Sequence, residues 1–397
     1  MKIGLLKEGK VPLDKRVPFS PVQCVEIIKK HPSISIVVQP SENRCFSDLE
    51  YVKNGILLQE DLSDCSILMG VKEVPINMLI RNKTFFFFSH TIKRQPYNKK
   101  LLQEIVKHNI QLVDYETLID DDGKRVIGFG RYAGIVGCYN TFLAYGKKTK
   151  KYNLKLAHLL EDKNSLEKEI SKVILPDNFK IILTGDGRVS HGVVEVLDLL
   201  GIKEISKSDF LNKDYNHPTY VQLLPLDYNH RIDGSVSSKK DFYSSPKKYE
   251  SSLLKYTILS EMLITGHYYA PNSPVILSRD DMRNPDFNIK VIGDISCDID
   301  GPIACTIRPS TINSPIYGYN TLTEKEDDYT KNHVLAVMAV DNLPCALPRD
   351  ASIHFGEVFI NKVLPDLMSE QNIISRGTIT RNGTLTSRFQ YLADYIK

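Results

Sequence analysis

The chain has 397 residues, 42% hydrophobic and 25% charged, with Lys plus Arg at 51 against Asp plus Glu at 48. That length predicts two or three domains with no need for a disulfide or metal staple, and a net +3 gives no electrostatic case for nucleic-acid binding. Seven cysteines at 24, 45, 65, 138, 297, 305 and 345 form no C-x-x-C pair, which fits a reducing compartment. No apolar run approaches the ~20 residues of a membrane span, and Met1-Lys-Ile-Gly-Leu-Leu-Lys does not read as a signal peptide. A cytoplasmic protein acting on small molecules, with no membrane or nucleic-acid partner, is expected.

Residues 2–6 read as a first buried strand, Val22–Lys30 as an amphipathic helix and Ile34–Gln39 as a strand. Cys65–Val71 and Thr84–Ser89 are short apolar runs between turn signals and read as buried strands. Asn98–His108 has helical periodicity, and Gln111–Asp114 is another strand. This alternation predicts an α/β fold with a largely parallel sheet covered by helices. From Arg131 to Tyr145 the residues are small and apolar, and Gly134 and Gly137 permit close packing of a helix that connects domains. Lys147–Lys172 reads as charged and helical, Gln222–Pro246 as a long exposed loop, Lys290–Gly293 as a strand, Glu324–Asn332 as a mobile polar segment and His354–Leu367 as a helix.

The strand Phe179–Thr184 runs into Gly185-Asp-Gly187-Arg188-Val189-Ser190-His-Gly192, followed by the helical Val193–Leu200. Strand, glycine turn and helix in that order are the context of a dinucleotide site. Gly185 permits the tight turn, and Gly187 lets backbone approach a pyrophosphate seated on the helix N-terminus. Ser190 keeps a small residue at the third position. The next strand is expected to end near Glu204-Ile205-Ser206-Lys207, where an acidic residue would hold the adenosine ribose. Glu204 falls slightly early, and Ser206 with Lys207 leans towards NADP(H) over NAD(H).

Ionisable residues follow directly on three apolar strands: Lys72-Glu73, His90 with Lys93, and Asp114 with Glu116. Arg16 follows the first strand near Lys7 and Glu8, and Arg125 follows the turn Asp121-Asp122-Gly123. A lone Lys or His at a strand end is ordinarily a solvated tip. Repetition along one sheet edge points to a convergent cluster suited to acid–base chemistry. Asp294 follows the strand Lys290–Gly293, where an acidic residue either faces a nicotinamide or caps a turn.

These residues resemble the alanine dehydrogenase/transhydrogenase superfamily, specifically its saccharopine dehydrogenase (lysine-forming) branch. Within that branch the likeness is to the lysine–ketoglutarate reductase domain of the aminoadipic semialdehyde synthases. The segments that carry it include Gly70-Val71-Lys72, Phe88-Ser89-His90-Thr91-Ile92-Lys93, Asp114-Tyr115-Glu116, Thr184-Gly185-Asp-Gly187-Arg-Val189-Ser190, Asp294-Ile295-Ser296-Cys297-Asp298 and Asp341-Asn342-Leu343-Pro344.

The resemblance implies two Rossmann-like domains with parallel sheets flanked by helices and an active-site cleft between them. One is a substrate domain of residues 1–130 plus 345–397, and the other a dinucleotide-binding domain of residues 131–344. It implies Lys72 and His90 as catalytic acid–base groups, with Arg16, Lys93, Glu116 and Arg125 tuning them and holding substrate carboxylates. Gly185, Gly187, Arg188, Val189, Ser190, Lys207 and Asp294 are expected to contact NADP or NAD. The implied substrates are lysine, 2-oxoglutarate and saccharopine, with no metal required; as a departure from the synthases, no saccharopine-cleaving enzyme is expected behind Lys397. Another amino-acid dehydrogenase of the superfamily, or a non-catalytic dinucleotide-binding relative, are the other readings. Oligomeric state is left open.

Overall fold

The computed structural model describes residues 1–397 apart from 12, 271, 370 and 371. In chain order the strands are β1 (Lys2–Leu5), β2 (Ser35–Val38), β3 (Leu57–Leu58), β4 (Ile67–Met69), β5 (Thr84–Phe87), β6 (Gln111–Asp114), β7 (Lys180–Thr184), β8 (Lys203–Glu204) and β9 (Thr219–Leu223). They continue as β10 (Asn229–Arg231), β11 (Tyr249–Ser251), β12 (Met262–Thr265), β13 (Val291–Asp294), β14 (Ile316–Asn320), β15 (Lys325–Asp327), β16 (Val334–Met338), β17 (Thr378–Arg381) and β18 (Thr384–Leu385). Contacts divide the chain into two units, Met1–Phe129 with Pro348–Lys397, and Gly130–Leu347.

The first unit holds an eight-stranded sheet in the order β18-β17-β6-β5-β4-β1-β2-β3. β1 to β6 pair in parallel, and β17 and β18 add an antiparallel edge. The run Phe85-Phe86-Phe87-Phe88 explains why the sheet is covered on both sides. Successive side chains in a strand point to opposite faces, and Phe86 and Phe88 enter one core while Phe85 and Phe87 enter the other. Burying each ring is worth roughly 1.5–3 kcal/mol. Helix α1 (Pro21–Lys30) starts at Ser20, which forms a capping box with Gln23, and ends in Lys29 and Lys30. That places cations at the negative end of the helix dipole.

The second unit holds a sheet in the order β15-β14-β16-β13-β12-β7-β9-β8. Its six strands from β16 to β8 are parallel, and β14 and β15 are antiparallel. The α/β class with two mixed, mostly parallel sheets is therefore the observed architecture. Helix α2 (Gly130–Thr149) carries most of the small apolar run and crosses helix α3 (Arg188–Leu199). A Cβ on Gly134 would strike the backbone of Val189, and one on Gly192 would strike the carbonyl of Arg131. These two glycines set the closeness of the helix pair. A Cβ on Gly137 would instead meet the Ile295 side chain.

Three expectations need correction. Gln222–Pro246 is not an uninterrupted loop, because β10 pairs with β11 across it and a short helix spans Lys239–Ser244. Glu324–Asn332 contains β15, whose Asp327 pairs with Gly318 of β14. Lys147–Lys172 is not one helix: α2 stops at Thr149, a 3-10 turn spans Ala157–Leu159, and the next α-helix begins after its cap, Asp162. Tyr152 folds back over Gly146, its hydroxyl donating to the Phe142 carbonyl at 2.7 Å, and this contact turns the chain. No helix among the described residues is long and apolar enough to cross a membrane.

Candidate active site and dinucleotide-binding turn

In the first unit the chain brings polar groups to the carboxyl ends of β1, β4, β5 and β6. The loop after β4 carries Lys72 and Glu73, and its backbone is held by a residue distant in sequence. The Glu8 carboxylate, on the loop after β1, accepts from the Val71 N–H at 2.6 Å and the Lys72 N–H at 3.0 Å. Burial pushes Glu8 up to about 7, while these two N–H groups pull it down. Burial and then the nearby Arg16 guanidinium push the Lys72 amine below the ordinary lysine range. Arg16 is itself buried, with Nε and Nη2 donating to Asp14 at 3.0 and 2.6 Å and its guanidinium 4.1 Å from the Phe129 ring centre. Burial pulls Asp14 up, but Arg16 overrides it and holds the carboxyl at about 2.

His90 follows β5 with φ at +49°, a left-handed conformation unusual for a non-glycine residue. Its ring stacks on Phe88 at 6.3 Å, and its Nδ1 lies 2.7 Å from Glu73 Oε1. Lys10 Nζ donates to both Glu73 oxygens at 2.7 Å. Burial pulls Glu73 up, but His90 and Lys10 outweigh it and hold the carboxyl at about 2. An ionised partner on Nδ1 makes that nitrogen the donor and leaves Nε2 for chemistry. The Ser89 N–H and hydroxyl both donate to the fully buried Asp114, which fixes the β5 end against β6.

Glu116 and Arg125 pair with each other at 3.2 Å, and the Arg125 guanidinium lies 5.8 Å from the Phe88 ring centre. Lys93 is exposed in the turn 91–94 and makes no ion pair among the described residues. Sequence reasoning does not single out Glu8, Lys10 or Asp14. Only the Asp14-Lys-Arg16 spacing gives a local signal, since the Glu8 and Lys10 contacts span 63 or 64 positions.

In the second unit β7 ends in Gly185, whose φ of +89° suits glycine, and a Cβ there would lie 2.6 Å from the Gly266 carbonyl oxygen. Gly187 is the N-cap of α3, makes no side-chain cap and has open space where a Cβ would point. Arg188 and Val189 begin the helix, and Ser190 is buried, its hydroxyl donating to the Thr184 carbonyl at 3.2 Å. An uncapped twelve-residue helix start behind a tight glycine turn fits a pyrophosphate.

Asp294 is fully buried. It accepts from Thr265, Ser296 and Thr306 hydroxyls at 2.6–2.7 Å, which makes it the organiser of the turn after β13. The strand beside β7 is β9, not the strand ending near Glu204 to Lys207. β8 is two exposed residues, whereas Thr219–Leu223 is mostly buried and takes the inner slot. Lys207 opens a short helix and pairs with Asp227 at 2.5 Å.

One unit thus carries a cluster of ionisable groups at its strand ends, and the other a strand, glycine turn and helix in sequence, each on a mostly parallel sheet. Residues 4–136 match the family described as alanine dehydrogenase/PNT, N-terminal domain. The chain is 30% identical to mitochondrial alpha-aminoadipic semialdehyde synthase of Mus musculus, over 98% of this chain and 47% of that one. It therefore spans about half the length of that relative. It is 25% identical to saccharopine dehydrogenase [NAD(+), L-lysine-forming] of Emericella nidulans, over 91% of each. Among solved structures, an L-alanine dehydrogenase matches over all of both chains with a TM-score of 0.63 at 14% identity. The transhydrogenase from Sinorhizobium meliloti matches with a TM-score of 0.59 at 12% identity, over 97% of this chain and 99% of that one.

Proposed function

We propose that the chain joins lysine to 2-oxoglutarate and reduces the product to saccharopine, reversibly, as a lysine-forming saccharopine dehydrogenase or lysine–ketoglutarate reductase. The observation that carries this reading is the linkage of Lys72 and His90 at neighbouring strand ends through Glu73, which follows Lys72 in the chain and accepts from His90. The likeness to the mouse and Emericella proteins supports it.

The lysine ε-amine attacks the ketone carbon, and the carbinolamine loses water to give an imine. The attacking nitrogen must lose one proton on attack and a second as the imine forms, while the ketone oxygen must gain one to become a hydroxyl and another to leave as water, so two titratable groups share the transfers. Lys72, made less basic by burial and Arg16, takes the first proton and returns it to the hydroxyl. His90 presents Nε2 as the second group, oriented by Glu73. Arg125, partly exposed, grips a substrate carboxylate, for which a planar guanidinium is suited, while the buried Arg16 acts on Lys72. When bound to the second unit, a nicotinamide dinucleotide supplies hydride to the imine carbon.

The test is product identification. The protein, lysine, 2-oxoglutarate and a reduced dinucleotide should yield saccharopine by mass spectrometry. Turnover only with another amine or oxo acid would move the reading to a different amino-acid dehydrogenase. Dinucleotide binding with no turnover on any such pair would favour a non-catalytic relative.

A further inference from the structure

The residue that distinguishes NAD(H) from NADP(H) in a parallel nucleotide-binding sheet sits at the carboxyl end of the strand beside the glycine-turn strand. Here that strand is β9, paired in register with β7 from Lys180↔Thr219 to Thr184↔Leu223. β9 is tied directly to the glycine turn. The Gly185 N–H donates to the Leu223 carbonyl at 2.8 Å, and Gln222 Nε2 donates to the Gly185 carbonyl at 2.7 Å. The chain leaving β9 makes one tight turn, Pro225–Asp227, locked by Asn229 Nδ2 on the Pro225 carbonyl at 2.8 Å.

That turn delivers Asp227. Its Oδ2 accepts from the Leu224 N–H at 2.7 Å, and its Oδ1 accepts from Lys207 at 2.5 Å. The side chain keeps 17% of its surface exposed. A carboxylate offers about four acceptor positions, so two remain for a ribose hydroxyl. Asp186, in the glycine turn itself, is a second nearby carboxylate and is exposed. Lys207 is already bound to Asp227.

We infer that Asp227 is the cofactor-specificity residue of this chain and that it selects NAD(H) over NADP(H). Its carboxylate takes the adenosine ribose 2′-hydroxyl, and a 2′-phosphate placed there meets two carboxylates. The basic lean drawn from Ser206 and Lys207 rested on β8 lying beside β7, and β9 occupies that place. The inference rests on the second unit binding a dinucleotide.

The test is a direct binding titration of the full chain with NADH and with NADPH, read by nicotinamide fluorescence, with no lysine or 2-oxoglutarate present. NADH should bind at least about tenfold more tightly, the scale of one charge-assisted hydrogen bond. Asp227→Ala frees Lys207 and should bring the two affinities together or reverse them. Lys207→Met should leave the NADH preference intact, and thermal unfolding checks that both variants are folded. Equal or tighter NADPH binding by the wild type overturns the inference and leaves the dinucleotide reading standing. An unchanged ratio in folded Asp227→Ala overturns the role of Asp227. Binding of neither cofactor overturns both.

Discussion

His90 Nδ1 and Glu73 Oε1 are 2.7 Å apart, and the same Glu73 carboxylate carries Lys10 on both of its oxygens. One carboxylate thus sets the tautomer of the histidine and follows directly on Lys72. Glu73→Gln replaces one acceptor with a donor that faces either His90 or Lys10. Turnover should fall at least about tenfold, less than the roughly 10²–10⁴ expected for losing an acid–base group outright. Steady-state kinetics with a parallel dinucleotide titration measures this. Unchanged turnover would show that His90 does not depend on Glu73.

Lys72→Met and His90→Ala should each reduce turnover by about 10²–10⁴. Dinucleotide affinity should stay close to that of the wild type, because both residues lie in the first unit and the glycine turn lies in the second. A variant that lost cofactor affinity but kept turnover would reverse the assignment.

Glu8 predicts a pH dependence of stability. Its carboxyl stands at about 7 in the folded chain against an ordinary 4.5, because burial disfavours the charge. Below about 4.5 both states are protonated. Between the two values the unfolded chain ionises and the folded one does not, so stability falls as pH rises through this window. Glu8→Gln does not titrate. The stability of the wild type relative to this variant should therefore drop by up to a few kcal/mol from about pH 5 to about pH 8. Asp14, held at about 2, acts in the opposite sense: its contribution is present above about pH 4 and is lost only below that, outside the window. Denaturant unfolding at the two pH values tests this, and a constant difference contradicts it.

The glycine turn separates folding from binding. Gly185→Ala forces an alanine to φ near +89° and against the Gly266 carbonyl, which should destabilise by about 1–3 kcal/mol. Gly187→Ala points its methyl into open space at an ordinary φ of −86°. Its melting temperature should stay within about 2–4 °C of wild type while dinucleotide affinity drops about tenfold. Calorimetry and a binding titration distinguish the two. Unimpaired binding by Gly187→Ala would place the phosphates elsewhere.

The parts legible in the sequence are those set by local pattern. The four phenylalanines at 85–88 announce a buried strand, and the run from Phe179 to Leu200 announces a strand, glycine turn and helix. The strand order of the second sheet was not legible, because an inner slot is won by burial against the whole sheet. Thr219–Leu223 outcompetes Lys203-Glu204 for the place beside β7, so the chain that leaves the neighbouring strand carries Asp227 rather than Lys207. Glu8 was equally hidden, since its value to Lys72 lies in two backbone hydrogen bonds that exist only once β1 and β4 are paired.

The most direct measurement of the central claim is loss of reduced-nicotinamide absorbance with lysine and 2-oxoglutarate, each omitted in turn, in wild type and in Lys72→Met. Oxidation should require both substrates and fall by about 10²–10⁴ in the variant. No oxidation by the wild type with NADH or NADPH, or oxidation that does not need lysine, would contradict it.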